Sequence, residues 1–133
     1  MSASVVALST IGLLATPSVS DAQPPCEQWG FAGESRIVEP DTGWKVIFFS
    51  DGTEASGVGT ASNNRGESKT GQMSGGMDGG RFDVVVDYDN GQRQYYRGGV
   101  HGDDGVATGV TSNGITNESG KQFTSRLTCI TPG

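Results

Sequence analysis

Few side chains in this sequence are typed and spaced for chemistry. The single histidine, His101, lies in Val100-His101-Gly102-Asp103-Asp104-Gly105. There an imidazole and the Asp103 carboxylate could exchange a proton as an acid–base pair. No serine or cysteine occupies a nucleophile motif beside them, so no triad can be assembled. The run has the composition of an exposed turn. Asp87-Tyr88-Asp89-Asn90-Gly91 and Gly102-Asp103-Asp104-Gly105 lack the ligand spacing of a calcium loop. Two cysteines and one histidine do not make a zinc site. The reading is therefore a non-enzymatic protein with no metal and no cofactor. What remains is aromatic and amide chemistry: Trp44, Phe48, Tyr88, Gln94 and Tyr96, residue types that line small-molecule pockets.

These residues sit on alternating runs, and the clearest is Arg81 to Val100. Its turn can be read in two ways. A two-residue loop, Asn90-Gly91, would put Arg93 and Arg97 on the face of Phe82, Val84 and Val86. A three-residue loop, Asp89-Asn90-Gly91 with Gly91 left-handed, pairs Val86 with Gln94, Val84 with Tyr96 and Phe82 with Gly98. On the other face it sets Asp87 opposite Arg93 and Asp83 opposite Arg97. Opposite charges across a strand pair are favourable, and a one-residue slip would bury them. The three-residue loop is expected, with Tyr88, Gln94 and Tyr96 inward and the four charges in solvent.

Turn signals recur about every ten residues, from Pro40-Asp41-Thr42-Gly43 to Ser112-Asn113-Gly114. They divide the chain into eight runs, at about 28–38, 44–50, 53–61, 68–77, 81–88, 92–100, 105–111 and 122–130. No apolar stripe of helical period is present. The fold class is all-β: an eight-stranded antiparallel up-and-down meander closing into a small barrel, with a β-sandwich as the alternative. Asp51-Gly52 reads as a two-residue turn placing Phe48 opposite Ala55, Val46 opposite Gly57 and Trp44 opposite Gly59. The chain holds 22 glycines in 133 residues, and many fall inside strand-like runs, where they permit tight coiling. Cys26 precedes the first run and Cys129 lies in the last. In a closed barrel these strands are neighbours, so a Cys26–Cys129 disulfide at the seam is expected over two buried free thiols.

Residues 1–22 read as a secretory signal peptide. Val5 to Leu14 is weakly apolar, Ser20-Asp21-Ala22 offers a small-residue cleavage site, and the run is too short to span a bilayer. The alternative is a tail outside the fold. Residues 23–133 then form a single exported β-barrel domain. The net charge is −6 and no basic cluster exists, which argues against nucleic acid and anionic membranes as partners, and no membrane insertion is expected. Asn117-Glu118-Ser119 is a glycosylation sequon by pattern alone.

The order "DGTEASGVGTAS", "TGQMSGGMDGGRFDVVVDYDN", "YYRGGV" and "ATGVT" resembles the layout of avidin-like barrels over about residues 50 to 111. It is still more similar to a set of small secreted mycobacterial-type β-barrel proteins of unknown function, which share a Trp-x-Val-x-Phe strand and a Gly-rich meander. The avidin-like layout implies aromatic walls around a ligand, with Tyr88 and Tyr96 standing at two such places. An aromatic at the third place and an aspartate near the last strand are missing, which argues against biotin. The proteins of unknown function supply no site.

Two functions follow. One is a secreted barrel binding a small molecule inside or at its mouth, through Trp44, Phe48, Tyr88, Gln94 and Tyr96. The other is an extracellular or cell-envelope interaction module with a filled barrel. If Trp44, Val46 and Phe48 face inward, Ile47 and Phe49 face outward, to be covered by a terminus or to join copies into a homo-oligomer.

Overall fold

A computed structural model describes residues 26–114 and 119–133. The proposed signal peptide, residues 1–22, and most of the sequon lie outside that range. The described residues form nine antiparallel strands and contain no helix. They are β1 (Cys26–Val38), β2 (Lys45–Gly52), β3 (Val58–Ser62), β4 (Ser68–Asp78), β5 (Arg81–Tyr88), β6 (Arg93–Val100), β7 (Val106–Asn113), β8 (Ser119–Arg126) and β9 (Thr128–Pro132). Each pairs with the next from β2 to β8, and β1 pairs with both β2 and β8. The meander therefore closes into an eight-stranded barrel, and β9 is an extra strand. The eighth run expected from the sequence is broken at Leu127, which is buried and ties its amide to the Gly105 carbonyl.

The β5–β6 hairpin has the three-residue loop. Tyr88 N–H donates to Gln92 O at 2.8 Å, Gly91 N–H donates to Tyr88 O at 3.0 Å, and Gly91 has a φ of 90°. Val84 pairs with Tyr96, Val86 with Gln94 and Phe82 with Gly98. Outside, Arg97 meets Asp83 at 3.4 Å and Arg93 pairs with Asp87. Val46 and Phe48 are buried, and Phe49 is 67% exposed on the outer wall.

The second hairpin departs from the expected register. Val46 pairs with Ala61, four residues later than Gly57, and β3 begins at Val58. Residues 53–57 leave β2 and bond to β4 instead. Ala55 N–H donates to Gly75 O at 2.9 Å, and Met77 N–H donates to Thr53 O at 2.7 Å. The Ser50 hydroxyl accepts from Ser56 N–H at 3.1 Å. This wide loop carries Ala55 into the core while its backbone bonds to β4.

One row across four strands shows how the wall curves. Phe82, Gly98, Gly109 and Phe123 are successive partners on β5, β6, β7 and β8. The two phenylalanine rings meet over the paired glycines, their centroids 5.3 Å apart. A Cβ on Gly98 would run into the Thr108 carbonyl and the Gly109 Cα, both backbone. Phe31 packs edge-on against Phe48 at 5.4 Å, and Tyr96 against Phe123 at 5.4 Å. These rings fill the middle of the barrel.

The first half of β1 pairs with β9 and closes one end. Trp29 N–H donates to Gly79 O at 3.0 Å, and the Gln28 carboxamide accepts from Gly79 N–H at 3.0 Å. The Trp29 ring packs against Gly80 and Gly105 from the neighbouring loops. Cys26 and Cys129 form the expected disulfide, with Cα atoms 5.8 Å apart, within this β1–β9 ribbon.

Two outcomes test this account. Gly98→Ala should destabilise the protein by about 1–3 kcal/mol, because backbone cannot yield as a side-chain tip can. A loss in denaturant unfolding within experimental error would show room between β6 and β7. Replacing Cys26 and Cys129 together by Ala should cost about 4–5 kcal/mol, since the bridge closes a loop of sequence separation 103. An unchanged midpoint would mean that the ribbon holds without its staple.

Candidate functional site

The end opposite Trp29 is the mouth. Its chemistry begins where β1 runs out. Alternation along β1 turns Ile37 inward, Val38 outward and Glu39 inward, and Glu39 is only 8% exposed. The loop to β2 wraps around it. Glu39 N–H donates to Trp44 O at 2.8 Å, and Gly43 N–H donates to Glu39 O at 3.0 Å. The Thr42 hydroxyl donates to Glu39 Oε1 at 3.0 Å and accepts from Trp44 N–H at 3.2 Å. One tight turn thus fixes both the carboxylate and the neighbouring indole.

The far side of the mouth comes from β4, β5 and β6. The Tyr96 hydroxyl donates to Glu39 Oε2 at 3.3 Å. Tyr88 and Tyr96 stand together on the wall of the mouth. A phenol has one proton to give. That of Tyr96 is committed to Glu39. Lys69 reaches in from β4, where it pairs with inward-facing Ala61. Its ammonium lies 4.3 Å from the centre of the Tyr88 ring and 4.9 Å from that of Trp44, a cation–π geometry on two faces. At the rim Lys69 Nζ donates to Gln92 Oε1 at 3.0 Å. Glu39, Trp44, Val46, Ala61, Lys69, Tyr88, Gln94 and Tyr96 enclose about 140 Å³.

Burial governs the proton affinities here. It pushes the Tyr88 phenol up to about 12. It pushes Tyr96 up as well, helped by Tyr88 and Glu39, so both phenols remain neutral donors. Glu39 is raised by burial, against the hydrogen bonds from Thr42 and Tyr96 and the charges of Lys69 and Lys121. Lys69 is lowered by burial, against the attraction of Glu39 and Glu67. Each of the two charges is only partly compensated by the other.

Four of the five residues expected to bind a ligand, Trp44, Tyr88, Gln94 and Tyr96, therefore converge on the mouth. Phe48 does not: it is fully buried in the aromatic core below. Glu39 and Lys69 were not anticipated, although strand alternation from Ile37 and from Met73 would have turned both inward. His101 is exposed in the β6–β7 loop, at the other end of the barrel. Clefts of about 470 and 560 Å³ lie on the outer wall, at the β1–β8 seam and over Gly75-Gly76, and neither is lined by a buried titratable group.

The raised carboxyl has a consequence for stability. A carboxyl with a higher pKa folded than unfolded binds its proton more tightly in the folded state. Its contribution is greatest below the unfolded value, about 4.3, and is lost as pH rises through the folded value. Glu39→Gln should therefore be more stable than the parent at pH 7, and the difference should shrink as pH falls toward 4. Thermal unfolding of both proteins across that range checks it, and a less stable variant at pH 7 would mean that the carboxylate is net stabilising. No protein-family model matches the chain, and neither the curated proteins nor the solved structures give a match.

Proposed function

We propose that this is an extracellular, non-enzymatic binding barrel that recognises the end group of a small ligand at its mouth. The carrying observation is the buried Glu39 carboxylate, fixed by Thr42 and Tyr96 among aromatic rings. A buried carboxylate costs stability unless fully paired, and an apolar residue would serve folding better. Such a cost is expected where a site must recognise something. The mouth is smaller than the roughly 300 Å³ at which whole-molecule pockets begin, so it suits a head group with the rest of the ligand outside. Among the described residues no serine, threonine or cysteine lines it, and both phenols hold their protons, which favours binding over chemistry. The disulfide supports an oxidising compartment and hence export. The likeness to the avidin-like layout supports a ligand at the open end.

The interaction-module reading draws on Phe49, a large apolar side chain exposed on the outer face of β2 beside half-buried Ile47. The two readings separate in one experiment. Amide NMR spectra of the oxidised protein with a panel of small polar fragments should show shifts clustered on Glu39, Trp44, Lys69 and Gln94. Tyr96→Phe, which removes the hydroxyl alone, should weaken those fragments several-fold. Shifts confined to the outer wall around Ile47 and Phe49 would overturn the ligand reading in favour of the interaction module.

A further inference from the structure

The mouth already holds a cation, and it is the protein's own. Two aromatic faces, Trp44 and Tyr88, flank the Lys69 ammonium, and the Glu39 carboxylate attracts it. This set of walls suits a positive charge with apolar surface around it. Ring faces offer a negative quadrupole, and a nearby carboxylate supplies the counter-charge.

A primary ammonium is a poor occupant of such a cage. It is compact and strongly hydrated, and it carries three N–H donors. Aromatic faces do not replace three hydrogen bonds. Among the described residues, the one side-chain acceptor bonded to Lys69 Nζ is Gln92 at the rim, while Glu39 attracts it through charge without that contact. Burial accordingly lowers the proton affinity of Lys69. An ammonium whose protons are replaced by methyl groups has fewer or no donors to satisfy, sheds its hydration more readily, and presents methyl groups to the rings. An anionic head group would meet Glu39 as a like charge. A neutral one would leave Glu39 unpaired if Lys69 moved aside.

We propose that the mouth is a binding site for a methylated or quaternary ammonium head group, and that Lys69 is its resident occupant, displaced when the ligand enters. The proposal rests on the reading of the mouth as a ligand site. Lys69 has the means to yield. Its four-carbon stem is flexible, and Gln92 offers its head a partner at the rim. While the ammonium occupies the cage, apparent affinity for a ligand is reduced by the fraction of time the cage is empty.

The test uses the oxidised full-length chain, with tetramethylammonium chloride and choline chloride as probes, sodium chloride at equal ionic strength as control and sodium acetate as the anionic comparison. Amide shifts of Glu39, Trp44, Lys69, Tyr88 and Gln94 are followed by NMR. Lys69→Ala should bind both ammonium probes at least tenfold more tightly than the parent. Adding Glu39→Gln to that variant should reverse at least tenfold of the gain, and acetate should leave the mouth unshifted. Equal affinity in the parent and in Lys69→Ala, or no ammonium shift in either, overturns the proposal. If acetate or neutral fragments then shift the same residues, only the ammonium assignment falls. If nothing shifts them, the ligand reading falls with it.

Discussion

An eight-stranded barrel built from about a hundred residues must coil its sheet hard, and its interior is then only as wide as two facing rings. Gly98 and Gly109 carry much of that constraint. With no Cβ between them, β6 and β7 approach closely enough for Phe82 and Phe123 to touch across the pair. Once those rings meet, Phe31, Phe48 and Tyr96 fill the remaining space around them. The middle of the barrel has no room for a ligand. Any cavity must lie at an end, and Trp29 with the β1–β9 ribbon occupies one end. The open mouth is what tight coiling leaves over.

The two ends differ in kind as well as in filling. At the Trp29 end, indole packing, the Gln28 contacts to Gly79 and the disulfide lock the first and last strands together. At the mouth, the walls are side chains on strand ends and one tight loop, and Glu39, Thr42, Lys69, Gln92 and Tyr96 are linked by side-chain to side-chain hydrogen bonds. Stability is placed where nothing need enter, and adjustable side chains are placed where something can. This division is expected of binding proteins, whose rigid scaffold carries a less stable recognition surface.

Legibility in the sequence followed how many independent rules pointed the same way. The β5–β6 register was readable because turn chemistry, apolar alternation and two acid–base pairs agreed on a three-residue loop. The β2–β3 register was not. Asp51-Gly52 has the residues of a tight turn, yet residues 53–57 bond to β4, and no local pattern announces a partner twenty residues away. Alternation also reports a face without a depth. It placed both Phe48 and Tyr96 inward but could not say that Phe48 packs in the core while Tyr96 reaches the mouth. Glu39 and Lys69 went unread because residue type alone gives no sign that a charge is buried. Charged residues that break the inward-apolar pattern mark the places where folding rules give way to function.

The two charges at the mouth are best understood together. Burial pushes Glu39 toward its neutral form and Lys69 toward its own, while each holds the other charged. Moving either one out leaves its partner buried with less compensation, so the pair resists entry by anything that replaces only the volume of the lysine head. An entering group must take over its charge as well. A cation satisfies that condition without a proton leaving or arriving. A neutral group satisfies it only if Glu39 takes up a proton, and an anion only if Lys69 stays in place and Glu39 is neutralised. On the proposed reading, the selectivity of the mouth is set by the carboxylate and its internal counter-ion, and the aromatic rings decide how well hydrated an entering cation can be.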